Sequence, residues 1–171
     1  RYSFHDLVRA YAADRALDQD RPPQRRAALT GLFDFYVATA ATAMDVAYPH
    51  ERHHRPAVPP AGTTTPDLSD RNRADRWLDT ELTNLLAVAQ HAAAHGWHEH
   101  TWQLSGVLDR HLRTRGRHQD AQALHQHALH LARRGSNHRA EMSALNGLGH
   151  VHRRLGRYEQ AAEQFGRALQ I

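Results

Sequence analysis

Apolar residues recur at three- and four-residue steps along most of this 171-residue chain. Between residues 22 and 48, for example, the apolar positions are Leu29, Leu32, Phe33, Tyr36, Val37, Ala40 and Met44. This spacing places side chains on one face of an α-helix, whereas a half-buried strand alternates in steps of two. No stretch alternates in that way for more than a few residues. The sequence therefore predicts an all-α fold.

Proline and glycine mark where the helices end. All seven prolines lie at or before Pro66, so proline interrupts no helix after that point. From residue 71 the pattern predicts five helices, at about 71–95, 98–114, 117–133, 138–154 and 157–171. Glycines lie at or beside the joints, where a left-handed helix end favours a residue without a Cβ: Gly96, Gly116, Gly135 and Gly156. Connections this short make neighbouring helices antiparallel.

The first third of the chain is organised differently. A short helix is predicted after Asp6, and a second, amphipathic helix is predicted to begin at Pro22 and Pro23. The stretch from Pro49 to Asp70 is rich in Pro, Thr and His, which is typical of a long exposed connection. These features predict three parts, 1–48, 49–70 and 71–171, the last of which stops within a helical pattern.

Two passages forty residues apart are nearly the same. A shift of forty places RTRGRHQDAQALHQHALHLA on RRLGRYEQAAEQFGRALQI, so that Gly116 falls on Gly156 and Ala121 on Ala161. A fixed period of this length indicates stacked helical hairpins. Asp109 falls where the second copy has Gly149, which predicts less secure packing between the helices of the first copy.

The residue types at these positions resemble the tetratricopeptide repeat. Its Leu-Gly, Gly-x-Tyr, alanine and aromatic positions correspond to Leu148, Gly149, Gly156, Tyr158, Ala161, Phe165 and Ala168. The forty-residue spacing is longer than the usual period of about 34. The resemblance implies a right-handed α-solenoid of antiparallel hairpins, whose first helices line a concave face.

The resemblance also assigns a binding groove to polar positions on those first helices. They are Gln103, Arg110 and Arg113 in the first repeat, and Ser143, Asn146, His150 and Arg153 in the second. Cationic side chains in a groove favour an acidic peptide, a C-terminal carboxylate or another anionic ligand. A simpler interpretation is that the arginines only solvate this face, and the sequence leaves both open.

Two further segments, YSFHDLVRAYAADRA and WLDTELTNLLAVAQHAAAHGWHEHTWQL, are similar to actinobacterial transcriptional regulators of the STAND/NB-ARC type, SARP class. The similarity implies that the chain begins at the end of a winged-helix region and belongs to a sensor arm. In the parent protein His5 would sense the β-phosphate of ADP, with Asp6 bracing the turn. Phe4 replaces the more usual Met. ATP and ADP, and the ATPase domain of the same parent chain, are then expected partners of the parent protein.

This chain holds no nucleotide by itself, because it has no GxxxxGK[ST] loop. A helix N-cap is the simpler role for Asp6.

Composition narrows the remaining function classes. The formal net charge is +4, and all 22 basic residues are Arg. The alternative function is therefore a nucleic-acid-binding helical repeat with an Arg-lined face, although solvated helix faces explain the charge more simply and direct DNA binding is not expected. The chain has no Cys, which is compatible with the cytoplasm. We identified no apolar run approaching the roughly 20 residues that span a bilayer and no secretory leader, so no membrane partner is expected.

The 16 histidines raise the question of a metal-dependent enzyme. His91 and His95 are four residues apart and could share an ion, as could His50 with His53 or His54, but no third ligand lies at a suitable spacing. We therefore expect no catalytic residues, no metal site and no cofactor in this chain. The favoured hypothesis is a non-enzymatic sensor or regulatory module of a STAND-type transcriptional regulator. It would bind either a ligand or a protein or peptide partner, for which an acidic segment is one candidate.

Overall fold

The computed structural model describes residues 6–171, apart from the side chains of residues 6, 9, 13 and 17. Within that range the backbone forms seven α-helices, one 3₁₀ helix and no strand. They are α1 (Asp6–Gln19), α2 (Pro22–Ala47), the 3₁₀ helix (Pro49–His54), α3 (Arg71–His95), α4 (His98–Thr114), α5 (His118–Arg134), α6 (His138–Arg154) and α7 (Tyr158–Ala168). The predicted all-α class is confirmed.

The chain divides into two compact units within α2. Unit 1 comprises residues 1–32 and unit 2 comprises residues 33–171. In unit 1, the Arg25 guanidinium donates to the carbonyl oxygen of Ala16 at 3.4 Å. This division differs from the boundary predicted after residue 48, because the second half of α2 packs with the later helices: the rings of Phe33 and Trp97 meet edge-on at 5.3 Å.

Helix α2 is also long and apolar enough to cross a membrane, by length and composition. It has 26 residues, and its most apolar window has a mean hydropathy of 1.3. The sequence pattern had led us to expect no apolar segment of this length, and α2 corrects that expectation. Of that window, 39% is buried inside the protein.

The connection predicted over residues 49–70 is mostly exposed, but two buried side chains attach it to unit 2. Leu68 is buried, and so is Arg55, which donates from Nη2 to Asp45 at 2.7 Å. Its Nη2 also donates to the carbonyl oxygen of Tyr48 at 3.1 Å. Pro56 packs on α4, where a Cβ added to Gly106 would lie 2.9 Å from the proline ring. We call residues 49–57 the strap, since this part of the connection lies against the helical repeats.

The joints between helices α3 to α7 repeat one backbone conformation every twenty residues. Gly96, Gly116, Ser136 and Gly156 all have positive φ. At each joint, the next amide donates to the carbonyl oxygen five residues earlier, as Arg117 does to Leu112 at 2.9 Å. This is the Schellman type of helix end. The prediction for Gly135 was wrong, because its φ is −94° and Ser136 takes the left-handed position.

Consecutive helices pack against one another from α3 to α7, and α4 also contacts α6. Close approach depends on small residues: a Cβ on Gly149 would lie 2.5 Å from the ring of Phe165. Buried residues of α5 to α7 form one apolar cluster, which consists of Ala128, Leu129, Ala144, Leu145, Leu148 and Ala168, with Trp102 packed against it. The predicted stack of antiparallel hairpins is confirmed.

Candidate functional site

A cavity of about 920 Å³ lies between the first helices of the two hairpins. Its walls come from α4, α6, the strap and Phe165 of α7. Six of the seven residues assigned to a groove line it, namely Gln103, Arg110, Arg113, Ser143, Asn146 and His150. The forty-residue register brings them together because it places the same face of α4 and α6 side by side. We call this cavity the groove.

Arg153, the seventh predicted residue, does not line the groove. It lies near the end of α6, and its side chain is exposed. Its charge nevertheless acts on His150. The groove therefore ends one helical turn earlier than the sequence predicted.

Carboxylates of the chain itself already accompany the two predicted arginines on α4. Arg110 lies 3.4 Å from Glu51 of the strap, and its guanidinium stacks over the ring of Tyr48 at 5.8 Å. Arg113 donates to Asp109 from Nε at 3.0 Å, and its Nη2 lies 2.8 Å from the same oxygen. These contacts orient both guanidinium groups and reduce the net positive charge that the sequence suggested.

Asp109 belongs to a buried polar network beneath the groove. His125 of α5 is 1% exposed, and its Nε2 lies 3.3 Å from Asp109 Oδ1. On the other side of the ring, Nδ1 and the Ser105 hydroxyl lie 2.8 Å apart. Burial alone would raise the pKa of Asp109, but contacts with His125 and Arg113 lower it to about 2. Asp109 is therefore ionised at neutral pH.

Serine, histidine and aspartate are also the residue types of a hydrolase triad, but this geometry does not suit one. Ser105 is 2% exposed, so its hydroxyl has no access to a substrate. The network therefore acts within the protein. Sequence reasoning missed it, although the signal was available: Asp109 and His125 are separated as Gly149 and Phe165 are, one period later.

His150 links the network to the groove. Burial lowers the pKa of His150, and the charge of Arg113 lowers it further, whereas Asp109 acts in the opposite direction. Its ring meets that of Phe165 at 5.2 Å, and its Nδ1 is buried without a hydrogen-bond partner. A neutral imidazole can donate or accept a hydrogen bond to a ligand in the groove.

A second cavity of about 750 Å³ lies on the other side of the strap. His53, Pro56, Ala57 and Arg139 line both cavities. Arg139 is exposed at the start of α6, and no ion pair is recorded for it among the described residues. Sequence reasoning missed Arg139, because it precedes the matched groove positions on α6. It is the cation most available to a ligand entering either cavity.

Some of the histidines considered as metal ligands have rings in contact. The rings of His91 and His95 stack at 4.1 Å, and those of His53 and His54, each of which was considered together with His50, lie 3.9 Å apart. Burial lowers the pKa of His91, as does the charge of His95. Across residues 6–171, no group of three or more potential ligands is placed to hold a metal ion. His5 lies outside the described residues, and Asp6 begins α1 without a described side chain.

Comparison with known proteins agrees with this architecture. The tetratricopeptide repeat family matches residues 110–171, which run from the last turn of α4 through α7. Residues 110–171 form tetratricopeptide repeats. The repeats are therefore the part of the chain that contributes Arg110, Arg113 and the α6 wall to the groove.

Beyond the tetratricopeptide repeats, the similarity to known proteins extends to the whole chain. It is 39% identical over 176 residues to regulatory protein AfsR of Streptomyces griseus, covering 100% of this chain and 18% of that protein. A second regulatory protein AfsR, of Streptomyces coelicolor, is 41% identical over 99 residues, covering 54% of this chain and 10% of the relative. The chain thus spans less than a fifth of either relative. No solved structure matched it.

Proposed function

We propose that this chain is a protein-interaction module of a regulatory protein, and that its groove captures an acidic segment of a partner protein. The observation that carries the proposal is the groove itself, which is lined by Arg110, Arg113 and Arg139 with Asn146 and His150 between the two first helices. Guanidinium groups form charge-assisted hydrogen bonds with carboxylates, and the amide and imidazole add neutral ones.

The similarity to regulatory proteins of Streptomyces supports placing this module in a larger switch. In that proposal the parent chain is a cytoplasmic transcriptional regulator of the STAND type, whose ATPase domain binds ATP or ADP. The repeats act by contacting one state of the switch more than the other.

Direct nucleic-acid binding has weaker support. Several arginines of the repeats are accompanied by carboxylates, such as Arg110 by Glu51, Arg113 by Asp109 and Arg133 by Glu141. A face built to neutralise phosphates has unpaired cations in a row.

The proposal is tested with a fluorescently labelled eight-residue peptide of alternating Glu and Ala, using anisotropy. Binding is expected for this peptide and not for a Lys–Ala counterpart. The variant Arg139→Glu should weaken binding at least fivefold, because it places a like charge in the groove. Arg134→Glu, an equal charge change at an exposed residue outside both cavities, is the matched control and should change binding less than twofold.

Equal losses in the two variants would show that only the net charge matters and would contradict the groove. The absence of peptide binding would refute the proposal. Binding to duplex or single-stranded DNA that weakens steeply with salt would favour the nucleic-acid alternative instead.

A further inference from the structure

The two repeats place different residue types at the same contact between their first and second helices. In the second repeat, Gly149 of α6 leaves room for the ring of Phe165, which a Cβ would approach to 2.5 Å. Forty residues earlier, the equivalent positions hold Asp109 and His125, at 3.3 Å between Oδ1 and Nε2. The chain therefore contains both an apolar and a polar version of the same helix contact.

Helix packing does not require the polar version. Asp109 and His125 place a carboxylate and an imidazole where water is largely excluded, which costs free energy unless both groups are well partnered. The glycine and phenylalanine of the next repeat fill the equivalent space without that cost. The polar pair is therefore expected to contribute something beyond helix packing.

The difference between the repeats appears one helical turn further along α4, at Arg113. Arg113 contacts Asp109 through Nε and Nη2 and is only 12% exposed, yet it lines the groove. Nη1, the remaining nitrogen of the guanidinium, forms no hydrogen bond or ion pair with the part of the chain that the structure describes. Its counterpart Arg153 has no acidic residue four positions before it, since Gly149 stands there, and it is exposed and outside the groove.

We propose that Asp109 and His125 are positioning residues that hold the Arg113 guanidinium at the floor of the groove and thereby determine its preference for an anionic ligand. His125 Nε2 lies against Asp109 Oδ1 from α5, and the Ser105 hydroxyl lies 2.8 Å from the other nitrogen of the ring. Asp109 in turn orients Arg113 through two nitrogens, so that Nη1 faces the ligand. This inference rests on the proposed capture of an acidic segment.

The inference predicts that Asp109→Asn changes the peptide affinity in the direction opposite to that expected from charge alone. If Asp109 only neutralised Arg113, Asp109→Asn would strengthen binding of the Glu–Ala peptide by removing a like charge. If Asp109 positions Arg113, the same substitution weakens binding at least fivefold, because the guanidinium becomes mobile. The double variant D109G/H125F, which copies the next repeat, should weaken binding as much while keeping the helical content of the parent. Arg153→Gln, one period later and outside the groove, is the control and should leave affinity within twofold.

A second measurement does not depend on a ligand. In the parent chain, solvent exchange of the Arg113 Nε–H, measured by NMR, should be at least tenfold slower than exchange of the Arg153 Nε–H. In D109N the two Nε–H groups should exchange at the same rate. Peptide affinity that is unchanged or higher in D109N, with binding intact in the parent chain, would overturn this inference alone. So would equal exchange at Arg113 and Arg153 in the parent chain. Failure of the parent chain to bind the peptide would refute the proposed function, and the inferred ligand preference with it.

Discussion

A single backbone conformation recurs at the four joints of the repeats, and one of them is occupied by a residue poorly suited to it. Gly96, Gly116 and Gly156 adopt positive φ without steric cost, whereas Ser136 adopts φ 51° with a side chain. A non-glycine residue in the left-handed region costs about 1 kcal/mol, because its Cβ approaches the backbone. The third joint is therefore the least favourable of the four.

The variant Ser136→Gly should be more stable than the parent, by about 0.5–1 kcal/mol. The reverse kind of change, Gly156→Ala, should lower the free energy of unfolding by about 1 kcal/mol, because it introduces a Cβ at a positive φ. Urea denaturation monitored by circular dichroism measures both. A loss of stability in S136G would contradict the assignment of this joint.

Two helical glycines near each other should respond in opposite directions to alanine. Gly149→Ala places a Cβ 2.5 Å from the Phe165 ring and should destabilise the protein by about 1–3 kcal/mol through overpacking. Gly166→Ala meets nothing within 4 Å and should stabilise α7 by about 0.5–1 kcal/mol, since alanine favours helix. Thermal unfolding of the two variants compares them directly. Destabilisation by both would mean that the close contact at Gly149 is not the cause.

At the scale of elements, the strap is the feature whose packing against the repeats could not be predicted from composition. Most of the helices were predictable because a glycine or a proline lies close to their ends and they carry a regular apolar face. The strap has prolines but no regular apolar face, and Arg55 within it is charged, so nothing in the sequence indicated that Arg55 is buried. Its place depends on Asp45, which lies in α2 and outside the Pro-rich segment.

Two arginines of the strap contact the same carboxylate and should differ in importance. The side chain of Arg55 is 7% exposed, whereas that of Arg52 is 76% exposed. Arg55→Gln should cost about 1–3 kcal/mol, because it removes a charge-assisted hydrogen bond to Asp45 and leaves that carboxylate with fewer partners. Arg52→Gln should cost no more than about 0.5 kcal/mol.

Hydrogen exchange of the amides between residues 51 and 57 provides the local measurement for this pair. Exchange should accelerate in R55Q and remain as in the parent in R52Q. Equal acceleration in the two variants would show that the strap is held by other contacts.

At the scale of the whole molecule, buried histidines should make stability depend on pH. Burial lowers the pKa of His111, although Asp79 lies 3.1 Å from its Nε2 and acts in the opposite direction. The pKa of His150 is also lowered. Because the folded values lie below the unfolded value of about 6.5, the unfolded chain binds more protons once the pH falls through that region.

The free energy of unfolding should therefore decrease between pH 7.5 and 5.5, by at most about 1.4 kcal/mol per pH unit for each such histidine. His150→Asn should reduce this slope, as measured by urea denaturation across the range. Asp109 adds a loss at lower pH, since its stabilising contribution disappears as the pH falls from 3.8 towards about 2. A slope in H150N equal to that of the parent would contradict the first expectation.

The sequence predicted which residues line the groove better than it predicted which charges accompany them. The forty-residue register was sufficient to bring Gln103, Arg110 and Asn146 to one cavity, because it encodes which helix faces coincide. It could not show that Glu51 accompanies Arg110, since that contact joins the strap to a repeat. Nor did it show that Asp109 is paired with His125, because the aspartate was treated only as a lost small residue.

Because each repeat pairs different residue types between its two helices, recombination between repeats should be tolerated at some joints and not at others. The Gly116 joint lies between Asp109 and His125, so an unequal crossover there would join Asp109 to the downstream Phe165 and leave a carboxylate facing an aromatic ring. A crossover at Ser136, by contrast, keeps Asp109 with His125 and Gly149 with Phe165. Viable hybrid genes are therefore expected to carry their breakpoints between hairpins and not within them.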